Sequence, residues 1–188
     1  MDRKVLTNNP EIFYYSIFLT SLGYLYVVKS ANGVCQISFP YSTLNDILPL
    51  IQNSKSLPLL PKGTQVNIQR NDLFLRYEVN LLKAYFEGKE VDFDFPLDLR
   101  SGTPFQIRVW EKLREIPYGE CRSYKWVAEK IGNPHAARAV GMANNRNPVP
   151  PVIPCHRVIG SDGNLTGYAS GIHVKKFLLE MEYKNILA

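Results

Sequence analysis

Aromatic and β-branched residues dominate three short runs near the start of the chain, at residues 12–19, 22–28 and 34–39. Such runs, when turn residues bound them, are typical of β-strands. The dipeptide Asn32-Gly33 between the second and third runs favours a hairpin, because both residues accept the positive φ angles of a tight turn. The pattern predicts an antiparallel sheet at the start of the fold.

Helical spacing follows the predicted sheet. We expect a helix near residues 43–52 and then a stiff, proline-containing connector at residues 57–62. Asn71 is the predicted cap of a longer helix that Gly88 ends, with its apolar stripe at Leu75, Val79, Leu82 and Phe86. These elements predict a small α/β domain over residues 1–95, and its sequence points to no particular chemistry.

The second half is predicted to be a mostly helical domain over residues 101–188, after a linker within residues 89–104. Thr103 followed by Pro104 is a typical helix start. That helix has its apolar stripe at Phe105, Val109, Leu113 and Ile116. A last helix is predicted from about His173, with inward positions at Val174, Phe177, Leu178, Met181 and Ile186.

Two short helices joined by a glycine turn are predicted between these two. Residues 123–131 follow helical spacing, Gly132 ends that helix, and Asn133 and Pro134 can start the next, which runs over residues 135–144. The pair is either a helix-turn-helix or an ordinary helical hairpin in a core. The helix-turn-helix is favoured by small residues that leave a smooth surface for a backbone or groove: Ala136, Ala137, Ala139, Gly141 and Ala143.

Composition and charge narrow the class of protein. The 188 residues are 45% hydrophobic, which is enough for one large or two small domains with a core. The chain has no apolar run of about 18 residues, no signal-peptide pattern and no disulfide framework, so we expect an intracellular protein. Residues 96–188 hold thirteen Lys or Arg against eight Asp or Glu, which accounts for the net charge of +5. This modest excess favours a phosphate-bearing partner.

Residues 147–158 hold four prolines around Cys155 and His156. Because proline restricts its own φ and the residue before it, this thiol has few backbone shapes available. Only a thiolate attacks well, so a reactive cysteine needs a nearby base or cation, here His156 or Arg157. Neighbours on an extended strand point to opposite faces, so the prolines must turn the chain, or a water must bridge. The alternative is an inert buried cysteine beside a core histidine.

A histidine base is often oriented by a carboxylate. On the last helix Glu180 lies four residues from both Lys176 and Lys184 and has surface partners. Glu182 instead falls inside the apolar arc, where a buried carboxylate needs a donor. Glu182 is therefore the candidate partner of His156, with a surface glutamate as the alternative.

Other polar residues allow purely structural interpretations: Tyr124 can be a core residue, Arg138 a solvated charge and Asn147 a turn former. The chain has no CxxC or HxxxH pair and no GxxxxGK[ST] sequence, so we expect neither a metal site nor a nucleotide cofactor.

The segment Pro154-Cys155-His156-Arg157-Val158, with Arg138-Ala139-Val140-Gly141 and Asn147-Pro148 before it and Gly167-Tyr168 after it, resembles the O6-alkylguanine-DNA alkyltransferases. The likeness is close over about residues 101–182, whereas the first half is similar only in length and coarse pattern. The resemblance implies an α/β fold with a small N-terminal α/β domain (an antiparallel sheet plus helices) and a mostly helical C-terminal domain with a helix-turn-helix.

The resemblance also implies a suicide repair reaction. Cys155 would take the alkyl group of O6-methylguanine, and of O4-methylthymine, and keep it as a thioether. His156 would deprotonate Cys155 through a water, and Glu182 would hold His156. Tyr124 would donate a proton or hydrogen bond to the departing guanine.

The implied partner is double-stranded DNA, which the protein would bind in the minor groove. The resemblance also implies a monomer that needs no cofactor and does not bind a membrane. Arg138 would fill the gap left by the flipped nucleotide, and Asn147 would be the hinge between its helix and the thiol loop. The implied base pocket is lined by Val158, Gly167, Tyr168 and Ala169. The implied DNA contacts are Gln106, Lys125, Asn133 and Ser161.

The sequence departs from the family pattern in two ways, and two other functions stay open. Some relatives bind zinc through Cys and His in the first half, but here that half has one Cys and no His, so we expect no zinc. Some members carry serine at the position of Ala169. The alternatives are a non-catalytic binder of alkylated DNA and a cysteine hydrolase built on Cys155 and His156.

Overall fold

The computed structural model describes residues 11–52 and 66–187. Strands β1 (Glu11–Thr20), β2 (Gly23–Ser30) and β3 (Gly33–Ile37) are consecutive antiparallel neighbours, which confirms the three predicted strands. Gly33 has φ +140°, and an added Cβ there would lie 2.3 Å from the Pro96 carbonyl oxygen. Glycine is therefore required where the later chain passes this hairpin.

A fourth strand was not predicted. Strand β4 (Val66–Arg70) pairs in parallel with β1, so the sheet has the order β3-β2-β1-β4 and is mixed rather than purely antiparallel. Helix α1 (Leu44–Gln52) confirms the helix expected at residues 43–52. The connector expected at residues 57–62 lies outside the described residues.

Helix α2 (Arg76–Phe86) starts later than predicted. The Asn71 side chain accepts a hydrogen bond from the Phe74 amide at 3.0 Å, so it caps a separate turn that precedes the helix. Gly88, with φ +92°, lies just past the end of α2 as predicted. The linker that follows is held against β3, because the Val34 amide donates to the Pro96 carbonyl at 2.9 Å.

The second half is mostly helical, as predicted. Helix α3 (Pro104–Leu113) starts with a capping box between Thr103 and Gln106. Strand β5 (Arg122–Ser123) pairs in parallel with β6 (Val158–Ile159), and helix α6 (Ile172–Ile186) ends the described chain. The inward position predicted for Ile186 is wrong: it is 53% exposed, because the last turn of α6 extends past the core.

The predicted pair of short helices is confirmed as α4 (Tyr124–Lys130) and α5 (Ala137–Asn145), with Gly132 at φ +75° between them. Asn133 does not cap α5, because its carbonyl closes a separate turn by accepting from the Ala136 amide at 2.9 Å. One of the small residues predicted to form the smooth surface lies elsewhere. Ala143 is 2% exposed, and its carbonyl accepts the Trp110 indole N–H at 2.9 Å.

The main hydrophobic cluster joins the two halves. It contains Leu25 and Leu82 from the first half and Trp110, Ile153 and Cys155 from the second. The domain boundary expected between residues 95 and 101 therefore stays a prediction. The thiol segment lies where the halves meet, since the Ile37 amide of β3 donates to the Pro148 carbonyl at 2.9 Å. No helix in the described part of the chain is long and apolar enough to cross a membrane.

Candidate active site around Cys155

Cys155 starts a single turn of 3-10 helix (Cys155–Arg157) and is not on an extended strand. The proline segment turns the chain. Cys155 and His156 therefore need not point to opposite faces, as they would on an extended strand. The thiol is 3% exposed, and the Asn147 amide group donates to its sulfur at 3.0 Å and to the Ile153 carbonyl at 2.7 Å. The Asn147 side-chain oxygen Oδ1 in turn accepts from the Val149 backbone amide at 3.0 Å. Asn147 thus fixes the loop and contacts the sulfur with one side chain.

His156 and Glu182 form a buried pair. The imidazole Nε2 lies 2.8 Å from Glu182 Oε1, and neither side chain is exposed. Glu182 also accepts two hydrogen bonds at 3.0 Å from the Arg157 guanidinium, one from the Gly119 amide at 3.0 Å and one from the Tyr85 hydroxyl at 2.5 Å. Burial by itself would raise the pKa of Glu182, but His156 and Arg157 outweigh it and hold that pKa well below its usual range.

The thiol and the imidazole are both neutral at rest. Burial raises the pKa of Cys155, and the Asn147 hydrogen bond and the Lys175 cation oppose this only in part. Burial lowers the pKa of His156 in spite of Glu182. The ring nitrogen Nδ1 is buried and has no hydrogen-bond partner among the described residues. Because Nε2 faces the carboxylate, Nδ1 is the nitrogen left free to accept a proton.

Lys175 is a site residue that the sequence reasoning missed. Its side chain is fully buried, and Nζ donates to the Val158 carbonyl at 2.6 Å, to the Thr166 carbonyl at 3.3 Å and to the Tyr124 hydroxyl at 3.5 Å. Burial lowers its pKa, while the nearby Cys155 opposes that shift. Lys175 precedes Glu182 by seven residues, or two helical turns, so the argument that selected Glu182 would also have found it.

A cavity of about 340 Å³ opens between the helix pair α4–α5 and the loop that holds Thr166 and Gly167. It brings together three predicted site residues, Tyr124, Arg138 and Gly167, and its wall also contains Ala137, Gly141, Asn145 and Thr166. The Tyr124 hydroxyl donates to the Thr166 carbonyl at 3.1 Å. Burial raises the pKa of Tyr124, and the Cys155 thiol adds to the rise, so this phenol stays protonated and can donate. Cys155 itself does not line the cavity.

The other predicted pocket residues surround the thiol unevenly. The Tyr168 hydroxyl is buried, and its pKa is raised well above normal by burial and by the neighbouring Cys155. The Phe39 ring of the first half packs edge-on against Tyr168, with 5.9 Å between centroids. Val158 is buried, whereas Ala169 is exposed and lies outside the cavity lining.

The residues predicted to contact DNA lie on several elements. Four of these residues are exposed: Lys125 on α4, Asn133 in the turn after it, Arg138 on α5, and Ser161. Gln106 is half-buried, and its side-chain oxygen Oε1 accepts from the Thr103 backbone amide at 2.8 Å. In the described part of the chain, no cluster of three or more His, Cys, Asp or Glu side chains could hold a metal ion.

Two family profiles match the chain. "6-O-methylguanine DNA methyltransferase, ribonuclease-like domain" matches residues 13–99, and "6-O-methylguanine DNA methyltransferase, DNA binding domain" matches residues 104–184. A methylated-DNA–protein-cysteine methyltransferase of Methanosarcina acetivorans is 41% identical over 90% of this chain and 97% of its own length. The chain belongs to this methyltransferase family.

Other members of the methyltransferase family support the assignment. The protein of the same name from Methanosarcina barkeri is 58% identical over 62% of this chain and 73% of its own length. The structure of Mycobacterium tuberculosis OGT in complex with DNA is 37% identical, with a TM-score of 0.71 over 92% of this chain and 94% of that chain. The predicted fold, an α/β first half followed by a mostly helical second half, is thereby confirmed.

Proposed function

We propose that the chain repairs alkylated double-stranded DNA by transferring the methyl group of O6-methylguanine to Cys155 and keeping it there. The observation that carries the proposal is the position of the thiol, hydrogen-bonded by Asn147 and one residue from the buried His156–Glu182 pair. The methyltransferase family and its member in complex with DNA support the substrate class.

The transfer is a displacement at the methyl carbon. Cys155 loses its proton through a water to Nδ1 of His156. The sulfur–carbon bond then forms while the carbon–oxygen bond breaks, and the electron pair moves onto the guanine oxygen. Tyr124 is the donor that lets guanine leave neutral. The new sulfur–carbon bond is not broken again, because a thiolate is a poor leaving group from an unactivated methyl carbon, so each chain reacts once.

Charge at the site supports the activation of a thiol that is neutral at rest. The resting thiol is neutral because its burial raises its pKa. When the proton moves, Glu182 stabilises the imidazolium and the buried Lys175 cation offsets the thiolate charge. A neutral resting thiol also protects the protein from other electrophiles, because the thiol form reacts poorly.

The DNA is engaged through the helix pair α4–α5. The damaged base flips into the cavity, and Arg138 at its wall fills the space left in the duplex. The half-buried small residues Ala137, Ala139 and Gly141 of α5 allow this helix to approach the minor groove closely. Lys125, Asn133, Ser161 and Gln106 are the proposed further DNA contacts. The protein acts as a monomer, and O4-methylthymine is a second substrate.

The flipped base is proposed to occupy a pocket lined by Val158, Gly167, Tyr168 and Ala169. Gly167 lies in the cavity wall and Tyr168 lies against the thiol, which supports their part in it. Ala169 is exposed and lies outside the cavity wall, so the structure lends its proposed part no support.

A second candidate function is alkylated-DNA binding without transfer. It is favoured by one observation, that the thiol is only 3% exposed and does not line the cavity. Under this alternative the cavity would hold the alkylated base and the cysteine would be structural.

Intact-protein mass separates the two functions. The protein is mixed with duplex DNA containing O6-methylguanine, and Cys155→Ala is the control. A gain of one methyl group in the wild type and none in the variant supports transfer. Unchanged mass together with tight binding to the lesion supports the binder. A duplex containing O4-methylthymine tests the second substrate in the same way.

A further inference from the structure

We propose that Tyr85, which α2 of the first half contributes, is a positioning residue that fixes the tautomer of His156 and thereby makes Nδ1 the catalytic base. This inference rests on the proposed transfer reaction. It gives the first half of the chain a direct part in the chemistry of the second.

Tyr85 is built into the buried His156–Glu182 pair. The residue is 1% exposed, and its hydroxyl donates to Glu182 Oε1 at 2.5 Å. The Tyr85 hydroxyl oxygen also lies 3.2 Å from His156 Nε2. The ring packs edge-on against Tyr118, with centroids 6.2 Å apart, and at a tilt against Phe93, with centroids 5.7 Å apart. The hydroxyl therefore has little freedom to leave the carboxylate.

The position of the protons follows from the donors and acceptors present. Burial, and then the Glu182 charge, raise the pKa of Tyr85 well above its normal value, so the residue keeps its single proton. That proton is used in the short bond to Glu182, and a hydroxyl lone pair then faces Nε2. Nε2 thus meets two acceptors, Glu182 Oε1 and the Tyr85 oxygen. The neutral ring must carry its proton on Nε2, which leaves Nδ1 as the base.

The hydroxyl also limits how strongly Glu182 attracts a proton onto the ring. Oε1 accepts from Tyr85, from His156 and from Arg157 Nη2, so its charge is shared among three donors. The Arg157 and Lys175 cations also act on the imidazole, and both lower its pKa. Without the Tyr85 hydroxyl, Nε2 loses a weak acceptor at 3.2 Å, but Oε1 loses a donor at 2.5 Å and binds the imidazolium more strongly. The shorter contact decides the sign, so the pKa of His156 rises.

The test is the pH profile of single-turnover methyl transfer by Tyr85→Phe. The matched control is Tyr118→Phe, because the Tyr118 hydroxyl donates to the Gly88 carbonyl at 2.9 Å and not to Glu182. We expect the acid limb of the Tyr85→Phe profile to move to higher pH by about 0.5 to 1 unit, with a severalfold larger rate loss at pH 6 than at pH 8. Tyr118→Phe should keep the wild-type limb.

A purely structural role for Tyr85 would lower the rate equally at every pH. An acid limb that stays in place, or moves to lower pH, in folded Tyr85→Phe would therefore overturn the proposal. If the variant does not fold, long-range ¹H–¹⁵N spectra of the wild-type protein show which nitrogen of His156 carries the proton. The variants His135→Gln and His173→Gln identify the signals of the other two histidines. A His156 ring protonated on Nε2 agrees with the proposal, and one protonated on Nδ1 contradicts it. Failure of the wild type to gain a methyl group would instead reject the proposed function.

Discussion

Replacement of Glu182 by glutamine tests whether this carboxylate holds the buried polar cluster together. Glutamine has nearly the same shape but no charge. The Arg157 side chain, 11% exposed, would lose the only carboxylate with which it pairs among the described residues. Removing one partner of a buried ion pair costs about 3–5 kcal/mol of unfolding free energy, because an uncompensated charge stays buried. For a chain of 188 residues this lowers Tm by about 6–20 °C.

The matched control is Glu180→Gln on the same helix. Glu180 is 53% exposed and lies 3.7 Å from Lys176, so its loss should cost about 1 kcal/mol or less. The two variants change the same residue type on one helix and differ in burial. The assay is urea unfolding followed by fluorescence of the two tryptophans at several pH values.

The pH dependence has a defined sign. The folded pKa of Glu182 is depressed, so its contribution to stability is complete above the unfolded pKa of about 4.3 and is lost as pH falls towards the folded pKa. Titration of the Glu182 carboxyl itself leaves the stability gap between wild type and Glu182→Gln unchanged from pH 8 to about 5 and reduces it below about pH 4.3, whereas titration of His156, whose pKa Glu182 raises, widens the gap below about pH 6.5. A loss below about 1 kcal/mol at pH 7, or a gap that narrows between about pH 8 and pH 5, would refute the reasoning.

Three further predictions concern the reaction. Arg138→Ala should slow repair of duplex DNA more than reaction with free O6-benzylguanine, and equal losses would count against a role in filling the duplex. Lys175→Met should slow single-turnover transfer at least about tenfold, because a buried cation beside the thiolate is lost, whereas exposed Lys176→Met should not; equal rates in both variants would contradict this. Asn147→Ala should move the pH profile of Cys155 alkylation by iodoacetamide to higher pH, since the sulfur loses a donor, and an unmoved profile would argue against that contact.

The elements with strong local patterns were predictable from the sequence. The strands at residues 12–19 and 22–28 are dense in aromatic and β-branched residues, and α3 has its capping residues in the chain itself. Strand β4 was missed because Val66 and Ile68 are its only apolar residues, so its strand structure depends on pairing with β1. Pairing between distant segments leaves no local signal.

The site was predictable where a residue breaks the pattern around it. Glu182 could be selected because a carboxylate inside an apolar arc needs a partner. Tyr85 could not, because a tyrosine on an apolar stripe is ordinary and its partner Glu182 is 97 residues away. The roles of Arg138, Lys125, Asn133 and Ser161 stay predictions from the family resemblance, since exposed side chains make few contacts that could reveal a function.

The most direct measurement follows the methyl carbon itself. The protein is reacted with excess duplex DNA whose O6-methylguanine carries an isotope-labelled methyl group, and the label is located by peptide mapping. We expect one label per chain, on the peptide that contains Cys155, and none on the exposed Cys121 or the buried Cys35. Label on another cysteine, or labelled methanol released over repeated turnovers, would contradict irreversible capture by Cys155.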